Sequence, residues 1–406
     1  MHILFCHDTS YSKRRDGTVY SYGGFPYEVW QEQFLQHFDS MTIIGRKKKL
    51  RPDETGVLDV SSGKGVDHIL LPNIHSPVKR LTKYTRMYHK IADQVSRADA
   101  VVVRGPVEFG VMAAKAAREQ GKPYAVEMCG CAYDKTYYQG DLFNRIYAPV
   151  KFRRVQNMVR HANAVMYVTE QFLQSRYPTQ GKKECASHVE IEMPPKDILN
   201  KRLHRIEHEN KNLNIGLVGS FVDGMKGVDV AIEALAIAQA YRQEHPEEDI
   251  PEMNLKILGQ GVAAQWQGLI NQHNLQSHVE FCGKIARGDG VYEWLDNIDV
   301  YIQPSFHEGL PRSLIEAMSR GCPALASDAG GTREVLSSEF IHDRGNAQKL
   351  ADHILSFVTM RARVDAARHN FEKSKNYTRE ILVPKKQAFW SDFVETVQKS
   401  NVSNKN

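Results

Sequence analysis

The stretch HEGLPRSLIEAMSRGCP, His307 to Pro323, sets one carboxylate, Glu308, in a glycine-containing loop and a second, Glu316, on the first turns of a predicted helix. The helix is expected from Arg312 to Arg320, with Pro311 at its first position and Gly321 as its stop. Leu314, Ile315 and Met318 should face a sheet, while Ser313 and Glu316, three apart, share another face near the N-terminal end. The unpaired N–H groups of Arg312, Ser313 and Leu314, together with the positive end of the helix dipole, form an anion site that fits a phosphate. Carboxylates accept pairs of sugar hydroxyls well. A nucleotide diphosphate at the helix start would therefore leave Glu308 and Glu316 within reach of hydroxyls on either side, one on a sugar and one on a ribose. On spacing alone the same residues also read as a helix cap and a surface residue.

The surrounding pattern says which elements must position these groups. Apolar runs such as MHILFC, MTIIG, HILLP, AVVVRG, YAVEMCG and AVMYVTE alternate with helical patterns such as Val107 to Gln120, which predicts a parallel sheet. The alternation restarts with LNIGLVGS, LKILGQG, VEFCG, DVYIQPS and PALASD. The expected architecture is α/β: two Rossmann-like domains facing each other across a cleft, with ligands at the C-terminal ends of the strands. The boundaries read as 1–195 for an acceptor-binding domain, 196–212 for a linker and 213–375 for a nucleotide-sugar-binding domain. Residues 376–406 read as a helical segment packed on the first domain, kinked or broken at Pro384 and ending in a frayed tail. The Pro-Pro step and dense charge before Asn212 suit an exposed hinge better than a core.

Composition narrows the class. With 406 residues, 42% hydrophobic and 25% charged, the chain reads as soluble and globular, with no apolar run of membrane-spanning length. The N-terminus reads as a buried strand rather than a secretion signal. Six cysteines without metal or disulfide spacing imply reduced thiols in the cytoplasm. A net charge of +5 fits attraction to anions and excludes a dedicated nucleic-acid binder. Locally, a basic loop at Arg46 to Arg51 and a segment from Arg145 to Arg160 without acidic residues read either as solvated faces or as contacts with an anionic membrane surface.

HEGLPRSLIEAMSRGCPALASDAGGTREVL closely resembles the signature of family 4 of the retaining glycosyltransferases, in which Glu308, Gly309, Pro311, Glu316, Ala317, Met318, Gly321, Pro323, Gly330, Gly331 and Glu334 fall in register. VGSFVDGMKGVDVAIEAL resembles that family's diphosphate loop, YSYGGFPYEVW its N-terminal glycine-rich loop, and NYTREILVPKKQAFW its C-terminal segment. From VEMCGCAYD to VTEQFLQSRYP the first domain also resembles bacterial enzymes that assemble surface polysaccharides. The resemblance implies the GT-B fold and a set of roles. Glu308 contacts the donor sugar and Glu316 the ribose. Gly309, Leu310, Pro311, Arg312 and Ser313 hold the diphosphate at the helix start, and Gly219 and Ser220 belong to the diphosphate loop. Lys226 neutralises the leaving phosphate, where negative charge develops as the sugar–phosphate bond breaks. Gly23 and Gly24 let the backbone approach the donor from the opposite wall.

The chain departs from the family's pattern at two places. Ser220 stands where many members carry arginine, which shifts charge stabilisation to Lys226, with Arg287 or Arg312 in support. The first-domain histidine of many members has no clear counterpart, and Glu127, Cys129 and Asp134 are the candidates. His307 reads equally as a loop residue or a ligand. No two aspartates are separated by one residue, so no metal and no cofactor are expected, and a UDP- or GDP-linked sugar is the substrate. The implied reaction is retaining transfer to an acceptor hydroxyl on a glycan or lipid-linked oligosaccharide, in the cytoplasm or at the inner face of the membrane. A nucleotide-sugar epimerase and a non-catalytic nucleotide-sugar-binding subunit are the alternatives.

Overall fold

A computed structural model describes all residues other than 51–57, 74–76, 187–188, 209–211, 223, 286–287 and 404–406. The chain divides into two compact units. The first comprises 1–132, 149–187 and 383–406, and the second comprises 133–148 and 188–382.

The first unit is built on a nine-stranded sheet. Its strands are β1 (His2–Lys13), β2 (Val19–Ser21), β3 (Ser40–Lys47), β4 (Asp59–Val60), β5 (Val66–Leu71), β6 (Ala100–Gly105), β7 (Tyr124–Met128), β8 (Ala164–Tyr167) and β9 (Lys182–Cys185). The parallel part runs β5-β3-β1-β6-β7-β8-β9, while β2 and β4 form an antiparallel extension beside the end of β1. The central β6, AVVVRG, is buried at every residue. That is why it reads as one continuous apolar run, since a parallel strand is covered on both faces. Arg46 and Lys47, expected in a loop, are the last residues of β3, because their strand continues alongside β5; Arg51 lies outside the described residues.

The second unit carries a six-stranded, all-parallel sheet in the order β12-β11-β10-β13-β14-β15. These strands are β10 (Asn212–Val218), β11 (Glu252–Leu258), β12 (Val279–Gly283), β13 (Val300–Gln303), β14 (Ala324–Ser327) and β15 (Ile341–His342). Strand order reverses between β10 and β13, so the loops leaving these two strands diverge and open a crevice at their C-terminal ends. The helices that follow them are Val228–Glu244 after β10 and Arg312–Ser319 after β13.

Residues 196–212, expected as an exposed linker, differ from that reading. Ile198–His208 is a helix of the second unit. Leu203 and Ile206 pack with Ala367, and the buried Arg202 donates to the carbonyls of Leu295 at 2.9 Å and Arg320 at 3.2 Å. Charge density concealed a helical apolar spacing of Ile198, Leu203 and Ile206. Asp134, counted with the first domain by position in the chain, likewise falls in the second unit.

The C-terminal helix Arg379–Ser403 runs through Pro384 without a break. Pro384, the sixth residue of the helix, forgoes the bond it would otherwise donate to the Glu380 carbonyl, and the helix continues on either side of it. From Val383 onward it belongs to the first unit, whose core cluster includes Phe389, Trp390, Phe393 and Val397 beside Phe5, Trp30 and Phe34. The Trp390 ring lies 4.9 Å from that of Phe34. Trp390→Ala should cost about 3–5 kcal/mol, the usual cost of emptying a large aromatic site. Hydrogen exchange locates the effect: amide protection in β1 and β6 should fall while that in β10 and β13 holds, and an equal loss in both sheets would contradict the assignment.

Candidate active site

The loops leaving β10 and β13 bring Lys226 and Glu308 together. Lys226 Nζ donates to Glu308 Oε1 at 2.5 Å. The lysine is placed by a turn from Gly224 to Gly227, closed by a 2.9 Å bond from Gly227 N–H to the Gly224 carbonyl. Gly227 has φ +67°, and a Cβ there would stand 2.0 Å from the Pro304 carbonyl oxygen. Only glycine allows the turn to press this closely on the end of β13. Met225 then accepts from Phe306 N–H at 2.9 Å. The lysine stem runs against Gly219, whose missing Cβ would meet Lys226 Cγ at 2.7 Å.

Glu308 is buried and sits in a polar cluster that sequence reasoning missed. Gln303 Nε2 donates to Glu308 Oε1 at 2.9 Å and to Ser305 Oγ at 2.8 Å. Gln303 Oε1 accepts from Tyr301 OH at 2.5 Å and from Ser313 Oγ at 2.9 Å. A single signal pointed here: Gln303 is a polar residue closing the apolar run DVYI. Burial penalises the Glu308 charge, but the Lys226 ammonium, through both charge and hydrogen bond, and the Ser305 hydroxyl outweigh it and hold the carboxyl below its usual range. Because the folded value is depressed, the pair's stabilisation is complete above the ordinary carboxyl range and is lost only as pH falls through the lower folded value.

The Glu308 backbone is clasped from the other side. Gly331 N–H donates to the Gly309 carbonyl at 2.7 Å, and Gly330, at φ +61°, leaves room where a Cβ would lie 2.4 Å from the Glu308 carbonyl oxygen. The following helix, Arg312–Ser319, has Pro311 at its N-cap rather than at its first position, and no side chain caps it. Its first amides therefore point outward as donors. Gly321 stops it at φ +63°. Leu310 and Pro311 are buried under the loop, and Glu316 Oε1 accepts from Arg312 Nε at 3.0 Å. Ser220 is exposed, and Arg287 lies outside the described residues.

The first unit uses the same topology differently. Its strand order also reverses between β1 and β6, and the helix after β6, Glu108–Glu119, receives the Asp8 carboxylate at its start, at 3.4 Å from Glu108 N and 3.5 Å from Phe109 N. The position that an anion could take is filled by the chain itself. Gly23 lies against Thr9, and Gly24 has φ +69°, so both glycines have local reasons to be there. Among the first-domain candidates, Glu127 pairs with the buried Arg104 at 3.6 Å, the Cys129 thiol donates to the Glu127 carbonyl at 3.6 Å, and Asp134 pairs with Arg344 at 3.2 Å. All six cysteines are free. Among the described residues one group has metal-ligand spacing, His245, Glu247 and Glu248; it lies just beyond the far end of the helix that Lys226 precedes, and clusters of this kind are common without an ion.

Residues 200–376 match the family described as Glycosyl transferases group 1. Protein CapJ of Staphylococcus aureus is 29% identical over 392 residues, covering 94% of this chain and 93% of that protein. Among solved structures, HepE of Anabaena in complex with UDP-glucose is similar at a TM-score of 0.63 and 16% identity over 98% of this chain and 100% of that one. WaaG, a glycosyltransferase involved in lipopolysaccharide biosynthesis, is similar at a TM-score of 0.61 and 16% identity over 95% and 98%. The chain thus carries a group 1 glycosyl transferase domain and has the GT-B fold. The matched domain and these likenesses support a role in glycosyl transfer.

His307, next to Glu308, is set apart electrically. Burial, only partly offset by the Glu308 charge, lowers its imidazole to about 4, and its Nε2 has no hydrogen-bond partner among the described residues. It is therefore neutral at physiological pH. In an NMR titration its ring should change state at about 4, and a ring titrating near the ordinary histidine value of about 6.5 would refute this.

Proposed function

We propose that the chain transfers a glycosyl unit, with retention of configuration, from a UDP- or GDP-linked sugar to an acceptor hydroxyl on a lipid-linked oligosaccharide in cell-surface polysaccharide synthesis. The observation that carries the transfer chemistry is the Lys226–Glu308 pair, 2.5 Å long, set where strand order reverses and beside an uncapped helix start. The donor class is supported by HepE, whose structure holds UDP-glucose, and the setting by WaaG, which acts in lipopolysaccharide biosynthesis.

In this reading the diphosphate takes the amides of the Arg312–Ser319 helix, with the Gly309-Leu310-Pro311 backbone and the Gly219-Ser220 loop around it. Bond breaking moves an electron pair from the anomeric carbon to the leaving phosphate oxygen. Lys226 and the helix start stabilise that charge where it develops. The acceptor oxygen bonds to the same carbon from the same face, and its proton passes to the leaving phosphate. Glu308 accepts from donor-sugar hydroxyls, and Glu316 from the ribose. Before the donor arrives, Glu308 neutralises the lysine that the phosphate will claim, so the ammonium is oriented in advance. Ser220 offers a hydroxyl without charge, which leaves Lys226 as the principal cation, with Arg312 in support. Gly23 and Gly24, without side chains, let the backbone come close to the donor. The same cations take the place of a metal.

Glu308→Ala and Lys226→Ala should each lower transfer about 100-fold while the protein stays folded. Because the two side chains are in direct contact, the double variant should lose far less than the product of the single losses; strict additivity would separate their roles. Glu316→Ala should mainly weaken donor binding, since a ribose contact is made in both ground and transition states. Activity should survive excess EDTA, and loss restored by manganese or magnesium would overturn the metal-free reading. Slow donor hydrolysis marks a transferase, whereas sugar conversion would mark an epimerase, and neither would mark a binding subunit.

A further inference from the structure

Gln303 closes β13, a strand buried at every one of its residues. A side-chain amide in that position is costly unless both of its ends are used. Both are, and the direction of each bond is forced. The ionised Glu308 can only accept, so the amide nitrogen faces it, and the amide oxygen must then face Tyr301 and Ser313. The nitrogen donates to Glu308 Oε1 and Ser305 Oγ, and the hydroxyls of Tyr301 and Ser313 donate to the oxygen. The opposite orientation would set the amide oxygen against the carboxylate. Ser305 Oγ, accepting from Gln303, keeps its own proton for Glu308.

Two donors thus meet on Glu308 Oε1, Lys226 at 2.5 Å and Gln303 at 2.9 Å, and they differ in how firmly they are held. The ammonium ends a long, partly exposed stem on the turn between Gly224 and Gly227. Such a group can turn toward a phosphate. The amide is buried on a strand beside Tyr301, itself wholly buried, and both its donor and both its acceptor positions are filled. It stays where it is. Its oxygen also takes the hydroxyl proton of Ser313, in the first turn of the Arg312–Ser319 helix. That leaves the Ser313 backbone amide, rather than its hydroxyl proton, for an anion at the helix start.

We propose that Gln303 is a positioning residue: it holds the Glu308 carboxylate in place when Lys226 turns to the leaving phosphate, and through Ser313 it fixes that carboxylate relative to the helix start that receives the diphosphate. A carboxylate held by the lysine alone would lose its orientation at the moment the lysine is claimed. A preorganised neutral donor keeps it and adds no charge. The need for such a hold during transfer rests on the function proposed above, whereas the hold itself is measured without any donor.

The experiment compares the wild type with Gln303→Met, which keeps the size and removes the bonds, and with Gln303→Met combined with Tyr301→Phe, which also removes the hydroxyl that the first change strands in the core. The melting temperature is read, together with the hydrolysis rate over a panel of UDP- and GDP-linked sugars. The Glu308 carboxyl is titrated by carbon NMR, its signal assigned by its absence in Glu308→Gln. Gln303→Met should melt lower, should raise the Glu308 midpoint because a donor to the charged form is lost, and should lower kcat about tenfold or more, as a misplaced group does. Adding Tyr301→Phe should restore most of the melting temperature, since removing both partners of a buried bond is nearly neutral, while kcat and the midpoint stay where the single variant left them. A kcat that recovers with the melting temperature assigns Gln303 to the fold alone and overturns the proposal. So does a kcat or a Glu308 midpoint that Gln303→Met leaves unchanged. If the wild type consumes no sugar of the panel but the midpoint responds as expected, the hold on Glu308 stands and the transferase reading fails.

Discussion

A carboxylate with as little access to water as Glu308 cannot remain ionised unless its surroundings replace the lost hydration, and much of the second unit follows from that requirement. The ammonium of Lys226 must reach it, so the turn before the Val228–Glu244 helix must press against the end of β13, and only a glycine at 227 permits this. Gln303 must stand polar at the end of an otherwise apolar strand to give its amide to the same oxygen. Gly330 and Gly331 must hold the loop that carries the charge. Neighbouring His307, in contrast, is kept uncharged by burial. One loop therefore presents a fixed negative group beside a neutral one, and neither changes state near neutral pH.

The two units use one topology in two different ways. Both reverse strand order between two adjacent parallel strands, and both direct a helix start at the resulting crevice. In the first unit Asp8 occupies that helix start, and the nearby Arg104 is taken up by Glu127 and the Phe25 ring. In the second, no side chain caps the Arg312–Ser319 helix. The topology is shared, and a single carboxylate distinguishes the outcomes.

Much of this was legible in the chain because the physics involved is local. Buried parallel strands need β-branched, apolar runs, and AVVVRG, LNIGLVG and DVYIQ announce themselves; Pro311 and Gly321 bracket the short helix within one residue. What escaped depends on tertiary partners. The short β2, β4, β9 and β15 are defined by the edges they join rather than by composition. The Ile198–His208 helix was masked by its charges, one of which, Arg202, is buried because distant carbonyls receive it. Gln303 acquires meaning only when Glu308 and Ser313 arrive beside it.

The C-terminal helix has a consequence for the order in which the molecule can be made. Phe389, Trp390, Phe393 and Val397 belong to the same cluster as Phe5, Trp30 and Phe34. Synthesis delivers the whole of the second unit, which ends at Leu382, before the first can close its core. The opening sheet must wait, incomplete and with apolar surface uncovered, while its successor is free to fold. A nascent chain of this kind is most vulnerable in the sheet made first, and loss of Phe389 to Val397 would be felt as damage around Phe5, Trp30 and Phe34.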